Sequence, residues 1–218
     1  DRAPGGARRR RPSARMTADA RAGDGLRIRV RGRVQGVGFR PFVHAEATRL
    51  GLRGDVRNDA EGVLVEACGA CIDELLAALR ERPPPLARID AIEATVQSRS
   101  DWPAGFTIVQ TRSEGAVNTD IGPDTGVCDD CLRELFDPAD RRHLHPFITC
   151  THCGPRFTIT RSLPYDRPQT SMAGFPLCAD CAADYADPGN RRFHAETTCC
   201  PRCGPQLSMA PTEMMQRL

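Results

Sequence analysis

Leu26-Arg27-Ile28-Arg29-Val30-Arg31, running straight into Gly32-Arg33-Val34-Gln35-Gly36-Val37-Gly38-Phe39-Arg40, is the stretch on which the fold turns. Apolar and charged residues alternate strictly over 26–31. That predicts a half-buried strand with one wet face, because successive side chains leave a strand on opposite sides. Three glycines between 32 and 38 break the pattern into a loop. Phe42, Val43, Ala45, Ala47 and Leu50 then follow a helical spacing, with Pro41 near the first turn and Gly51 closing the helix. Downstream, Arg53–Asn58 and Val63–Ala67 read as two strands around the turn Asp59-Ala60-Glu61-Gly62. Ile72, Leu75, Leu76 and Leu79 mark a second helix, which Pro83-Pro84-Pro85 stops. Ile89–Val96 and Phe106–Val109 supply the last strand material. The order β-α-β-β-α-β over residues 26–113 predicts an α+β domain of the ferredoxin-like, split-βαβ kind.

The loop carries the first chemistry. Between a strand and a helix N-terminus, backbone N–H groups point outward, and glycines let the chain curl close around an anion. Arg40 stands where the helix begins, so a planar guanidinium joins those amides and can grip phosphate oxygens bidentately. A residue at an anion site rather than in a core predicts that Arg40→Ala removes activity without unfolding the domain. Asn58, taken alone, is a turn residue. His44 reads as structural, and Cys68-Gly69-Ala70-Cys71 as an incidental C-x-x-C without a partner pair nearby.

The second half is dominated by cysteine. Cys128-x2-Cys131, Cys150-x2-Cys153, Cys178-x2-Cys181 and Cys200-x2-Cys203 are separated by 18, 24 and 18 residues. Each half is a four-thiolate zinc spacing, and eight ligands predict two closed, structural zinc sites over residues 128–203. A 50-residue repeat supports this pairing: Asp137-Pro138-Ala139-Asp140-Arg141-Arg142 recurs as Asp187-Pro188-Gly189-Asn190-Arg191-Arg192. In that register Cys199 matches Thr149, which makes Cys200 the ligand and Cys199 the spare. Each repeat is expected to bind its own zinc, with exchange of pairs between repeats as the alternative. His143, His145, His152 and His194 would be ligands only if a thiolate were displaced. Apolar residues are too thin here for a self-sufficient core, so metal binding is expected to supply much of the folding free energy.

Composition narrows the function further. The 218 residues contain 30 basic side chains, all of them Arg. Without Lys there is no P-loop, Schiff-base or pyridoxal-phosphate lysine. Residues 1–25 hold seven Arg against three acids in a Gly/Pro/Ala-rich stretch, predicted to be a disordered basic arm. The remainder is close to neutral, which argues against a nucleic-acid surface. No apolar run approaches a membrane span, and no apolar stretch follows Arg8–Arg11 as a signal would require. With C-x-x-C pairs that read as metal ligands, this predicts a cytoplasmic protein. The chain opens on Asp1, with Met16 as a candidate start.

Val34-Gln35-Gly36-Val37-Gly38-Phe39-Arg40, Leu50-Gly51-Leu52, Val56-Arg57-Asn58 and Gly62 together resemble the acylphosphatase family over about ninety residues. The resemblance implies that Arg40 and the amides of Gln35, Gly36, Val37, Gly38 and Phe39 hold the phosphoryl group of an acyl phosphate. It also implies that Asn58 orients the attacking water. Asp55 departs from the family pattern, which often has an aromatic residue there, and a carboxylate near an anion site would weaken binding.

An acylphosphatase-like domain followed by this cysteine array resembles the N-terminal part of the hydrogenase-maturation carbamoyltransferase family, HypF. Residues 137–142, Pro146-Phe147-Ile148, 151–159, Leu163-Pro164-Tyr165-Asp166-Arg167-Pro168, 118–124 and Phe193-His194-Ala195 carry that likeness. It implies hydrolysis of carbamoyl phosphate to carbamate and phosphate. It further implies use of ATP only by later domains, and transfer of the carbamoyl group to the C-terminal cysteine of a HypE partner on the way to the cyanide ligands of nickel–iron hydrogenase. On this reading residues 114–127 are a linker, and 204–218 are a truncated tail that breaks off where those domains would begin. Two other readings stand beside it: a general acylphosphatase with a structural zinc module, and a zinc-ribbon binding protein whose first domain is inactive.

Overall fold

A computed structural model describes residues 24–109 and 119–208. Residues 1–23 of the expected basic arm, 114–118 of the expected linker and 209–218 of the expected tail lie outside the described residues. Asp24 and Gly25 already belong to the first strand, and residues 119–127 are not a bare linker, since Ile121 bridges Gln35 and Thr125 bridges Gly154. The first module runs β1 (Asp24–Arg33), α1 (Phe39–Arg49), β2 (Arg53–Asp59), β3 (Gly62–Cys68), α2 (Ile72–Glu81), β4 (Arg88–Ser98) and β5 (Phe106–Ile108). Its sheet has the order β4-β1-β3-β2-β5, antiparallel except where β5 lies parallel to β2. β1 and β3 fill the centre because their connections are helical crossovers, while β2 and β3 are joined by a tight turn at 60–61.

The alternation in β1 sorts its two faces as expected. Leu26, Ile28 and Val30 are buried beneath Phe39, Val43 and Ala47 of α1 and Leu75, Leu76 and Leu79 of α2. Each such side chain contributes roughly 1.5–3 kcal/mol of burial. α1 ends at Gly51, where the Gly51 and Leu52 N–H groups return to the Thr48 and Ala47 carbonyls.

The other face of the sheet is an ion-pair lattice rather than bare solvent. Arg57 meets Asp55 at 2.5 Å and Glu66 at 3.5 Å, Arg99 meets Glu66 at 3.3 Å, and Arg29 pairs with Asp59. Asp55 therefore lies across the sheet from Asn58, and the concern that its carboxylate would weaken an anion site does not hold. Burial pushes the Asp55 carboxyl up, opposed by Arg57.

Gly54 sits in β2 with φ 143°, and a Cβ there would lie 1.9 Å from the Glu66 carbonyl oxygen. Neither the backbone conformation nor the neighbouring strand can absorb it. Gly54→Ala is expected to destabilise the first module by about 3 kcal/mol in urea melts; a loss under 1 kcal/mol would contradict this geometry.

The second module repeats itself at 50-residue spacing. α3 (Asp129–Phe136) follows Cys128 and α4 (Ala179–Ala186) follows Cys178, each cysteine serving as the N-cap residue. Leu144 and His194, also 50 apart, both adopt positive φ, and their N–H groups bond the carbonyls of Leu135 and Tyr185. No helix among the described residues is long and apolar enough to cross a membrane.

Candidate active site

Gly36 and Gly38 hold φ of 69° and 74°, so the loop after β1 turns through two left-handed residues into α1. Only glycine takes that conformation without strain. The turn delivers Arg40 in the first turn of α1, opposite Asn58 on β2. Gly36, Gly38, Phe39, Arg40 and Asn58 line a cavity of about 30 Å³ between the two modules.

Gln35 and Val37, also expected in the phosphate cradle, do not line it. Val37 is buried in the core. The Gln35 side chain is fully committed to backbone: its Nε2 donates to the Asp59 and Gly62 carbonyls at 2.8 Å each, and its Oε1 accepts from the Tyr165 N–H at 2.7 Å. Gln35 thus pins the loop to the β2–β3 turn and to the second module; its side chain is not an anion ligand.

Asn58 is 1% exposed. Its Nδ2 donates to the Tyr165 carbonyl at 2.7 Å, while its Oδ1 is buried without a hydrogen-bond partner. A buried amide oxygen left without a donor costs free energy unless a ligand or water supplies one. Its place on the cavity wall makes it an acceptor for a guest.

Arg40 departs from the expected open helix end, being only 6% exposed. Its Nη2 donates to Glu196 Oε1 at 2.5 Å, and its Nη1 lies 3.7 Å from Asp166 Oδ2. Both carboxylates come from the second module. Burial alone would lower the guanidinium pKa, but Glu196 and Asp166 more than offset that and keep it charged. Burial likewise pushes the Glu196 carboxyl up, to about 7, against the pull of Arg40. Removal of Arg40 without unfolding was expected of a residue at an open anion site; the structure instead makes it half of a buried ion pair that joins two modules.

Further contacts close the cradle from the finger side. Arg156 Nε donates to the Gly36 carbonyl, and its Nη2 donates to the Thr151 carbonyl at 3.0 Å. His194 lines the same cavity; burial, then the Arg40 charge, push its pKa down to about 4, so it is neutral near pH 7. His44 packs edge-on against Phe193, with ring centres 5.0 Å apart, a structural role as expected. Sequence reasoning missed Tyr165, Arg156 and Glu196 as parts of the site, although Tyr165 and Arg156 fall within segments that carried the family likeness.

The cysteines form two groups, Cys128, Cys131, Cys150 and Cys153, and Cys178, Cys181, Cys200 and Cys203, with all sulfurs of a group within 4.8 Å of one another. Pairing is within each repeat. Four thiolates about 2.3 Å from a tetrahedral zinc lie about 3.8 Å apart. The observed separations match: 3.8, 3.8 and 3.5 Å in the first group, 3.7 and 3.8 Å in the second. They are far too long for disulfides.

Cys199 stands aside, its Sγ 3.3 Å from His145 Nε2. Neither His145 nor His143, His152 or His194 belongs to a cysteine group, and among the described residues Cys68 and Cys71 join none either. What the repeats do exchange is charge. Arg141 of the first donates to Cys181 at 3.2 Å, and Arg191 of the second donates to Cys131 at 3.1 Å. Arg142 and Arg192 bond the carbonyls of Cys199 and Thr149 reciprocally at 2.9 and 3.0 Å. A guanidinium from each repeat thus rests on a sulfur of the other.

Comparison with known proteins agrees with this architecture. Residues 26–108 match the acylphosphatase family, and residues 127–160 and 177–210 match the HypF finger. A carbamoyltransferase HypF2 of Cupriavidus necator is 57% identical over 157 residues, covering 69% of this chain and 19% of that protein. An acylphosphatase of Rhizobium etli is 39% identical over 88 residues, covering 39% of this chain and 93% of that protein. A crystal structure of full-length HypF in the phosphate- and nucleotide-bound form superposes with a TM-score of 0.82 at 45% identity, covering 85% of this chain and 25% of that one. The chain therefore spans about a fifth to a quarter of the HypF proteins it matches. Carrying an acylphosphatase domain and a HypF finger in that order, the chain belongs to the HypF family, whose N-terminal region it represents.

Proposed function

We propose that the cavity between α1, β2 and the finger module binds carbamoyl phosphate and hydrolyses it to carbamate and phosphate. The observation that carries this reading is the buried Asn58 Oδ1, unpartnered, on the wall of a cavity that also holds Arg40 and the glycine turn. Phosphoryl transfer asks for positioning and charge stabilisation rather than a covalent nucleophile. Arg40 and the amides at the α1 N-terminus offset charge on the phosphoryl oxygens. Asn58 Oδ1 accepts from a water and aims it at phosphorus; the P–O bond to the acyl group breaks and carbamate leaves with the electron pair.

The test is phosphate release from carbamoyl phosphate by the zinc-loaded chain, with acetyl and benzoyl phosphate alongside. Preference for carbamoyl phosphate is expected; equal turnover of all three would favour a general acylphosphatase. Asn58→Ala is expected to lower kcat by about 10²-fold with KM little changed, because a water-orienting group acts mainly in the transition state. An unaltered kcat would remove Asn58 from the chemistry.

The two cysteine groups are proposed to hold one structural zinc each, four thiolates leaving no open position for catalysis. In the whole protein this hydrolysis would be the first step of carbamoyl transfer to a HypE partner in hydrogenase maturation, with ATP used outside the region described. Thiolate sites of this kind persist in a reducing compartment, which is consistent with the cytoplasm.

A further inference from the structure

The two finger repeats diverge where the second one faces the cradle. Residues 143–147 read His-Leu-His-Pro-Phe, whereas the corresponding 193–197 read Phe-His-Ala-Glu-Thr. Glu196 thus replaces Pro146, and Tyr185 on α4 replaces Leu135 on α3. Both replacements converge on one contact. Glu196, only 3% exposed, uses Oε1 to accept from Arg40 at 2.5 Å. Its Oε2 accepts from the Tyr185 hydroxyl at 3.0 Å and from the Arg167 N–H at 3.1 Å, and its own carbonyl accepts from Arg167 Nη1 at 2.6 Å. The finger therefore holds this carboxylate through anchors of its own, independently of Arg40.

We propose that Glu196 is a positioning residue for Arg40, so that the acylphosphatase site is completed by the second finger repeat. The proposal rests on reading the Arg40 cradle as the phosphoryl site. Arg40 has two carboxylates within reach, Glu196 at 2.5 Å and Asp166 at 3.7 Å. The short, charge-assisted bond to Glu196 sets which way the guanidinium faces, and the cavity lined by Gly36, Gly38 and Asn58 remains open beside it. Of the two carboxylates Glu196 lines the cavity and Asp166 does not, so without the bond to Glu196 the guanidinium is left with a partner outside the cradle. A carboxylate beside an anion site also weakens phosphate binding, so its gain must lie in orientation rather than affinity.

That combination separates kcat from binding. Glu196→Gln keeps the shape and an acceptor oxygen but loses the charge. It is expected to lower kcat about tenfold, since small misplacements of a catalytic group cost that much or more. Inhibition by inorganic phosphate should stay as strong or become stronger, because a negative charge has gone. Tyr185→Phe frees one anchor of the carboxylate and should lower kcat about threefold in the same direction. Both variants would be assayed as full chains with zinc content and melting temperature matched to wild type.

Unchanged kcat in both variants would overturn the proposal, leaving Glu196 a packing residue. So would a rise in kcat/KM, which would mark Glu196 as a plug in the anion seat, or an equal fall in kcat and phosphate affinity, which would mark collapse of the site. Turnover of benzoyl phosphate but not carbamoyl phosphate by wild type would defeat only the substrate assignment, and the Glu196 comparison would then be made on benzoyl phosphate. If no acyl phosphate is turned over, both readings fall.

Discussion

Arg40→Ala is expected to abolish phosphate release and to destabilise the protein, the second effect growing as pH rises. The loss of activity follows from removing a guanidinium that lines the cavity with Asn58 and that Arg156, tied to the Gly36 and Thr151 carbonyls, does not replace; a charge-stabilising donor at such a site is worth about 10²–10³ in kcat. The loss of stability follows from Glu196, which is left buried beside Asp166 with its cationic partner gone. Breaking a buried ion pair from one side costs about 3–5 kcal/mol.

Protonation limits that cost. Burial already holds the Glu196 carboxyl near 7, above its unfolded value of about 4.3, and losing Arg40 raises it further. A carboxyl raised in the folded state binds its proton more tightly there. Its contribution is complete below the unfolded pKa and is lost as pH climbs through the folded one. The variant should therefore melt close to wild type near pH 5 and well below it at pH 8. Arg40→Ala/Glu196→Gln should recover most of the stability at pH 8 while remaining inactive. Equal melting of wild type and Arg40→Ala at pH 8 would mean that the pair does not join the modules.

Cys200→Ser is expected to lose one zinc, the folded second repeat and the activity together, and Cys199→Ser to lose none of them. Cys200 belongs to the second four-sulfur group, and Cys199 bonds His145 and the Phe147 carbonyl instead. Structural zinc contributes about 10–16 kcal/mol of apparent binding free energy in isolated fingers. Around these sites the module has a small core of Cys131, Ile148, Cys150 and Cys153. Such a core cannot replace the metal. Because α4 and residues 193–196 carry Tyr185 and Glu196, unfolding the second repeat also strips the cradle of its positioning contacts. Zinc released on thiol modification, counted per chain, should fall from two to one in Cys200→Ser and stay at two in Cys199→Ser. The reverse pattern would break the assignment of ligands.

Much of this was legible in the sequence, and for local reasons. A strand whose apolar residues alternate, as in 26–31, can bury only one face, and Gly36 and Gly38 mark a turn that other residues resist. The two cysteine groups were legible because cysteines two residues apart can clasp one side of a tetrahedral ion whatever surrounds them, and the 50-residue register placed Cys200 rather than Cys199 in the second group. Gln35 was placed in the cradle by its motif position, which says nothing of its side chain, whose three backbone partners belong to Asp59, Gly62 and Tyr165, up to 130 residues away. Arg40 was recognised as a candidate anion-site residue but not as a buried one.

Local pattern thus determined the elements, the sheet's wet and dry faces, the glycine turn and the pairing of cysteines within each repeat, since each depends on residues near one another or on a simple repeat. Only the tertiary structure decided that the second finger repeat sits over the turn and that Glu196 reaches Arg40 across 156 residues of sequence. A contact of that kind leaves no periodicity behind. It depends on where two modules dock, and docking is set by shape and buried charge rather than by spacing along the chain.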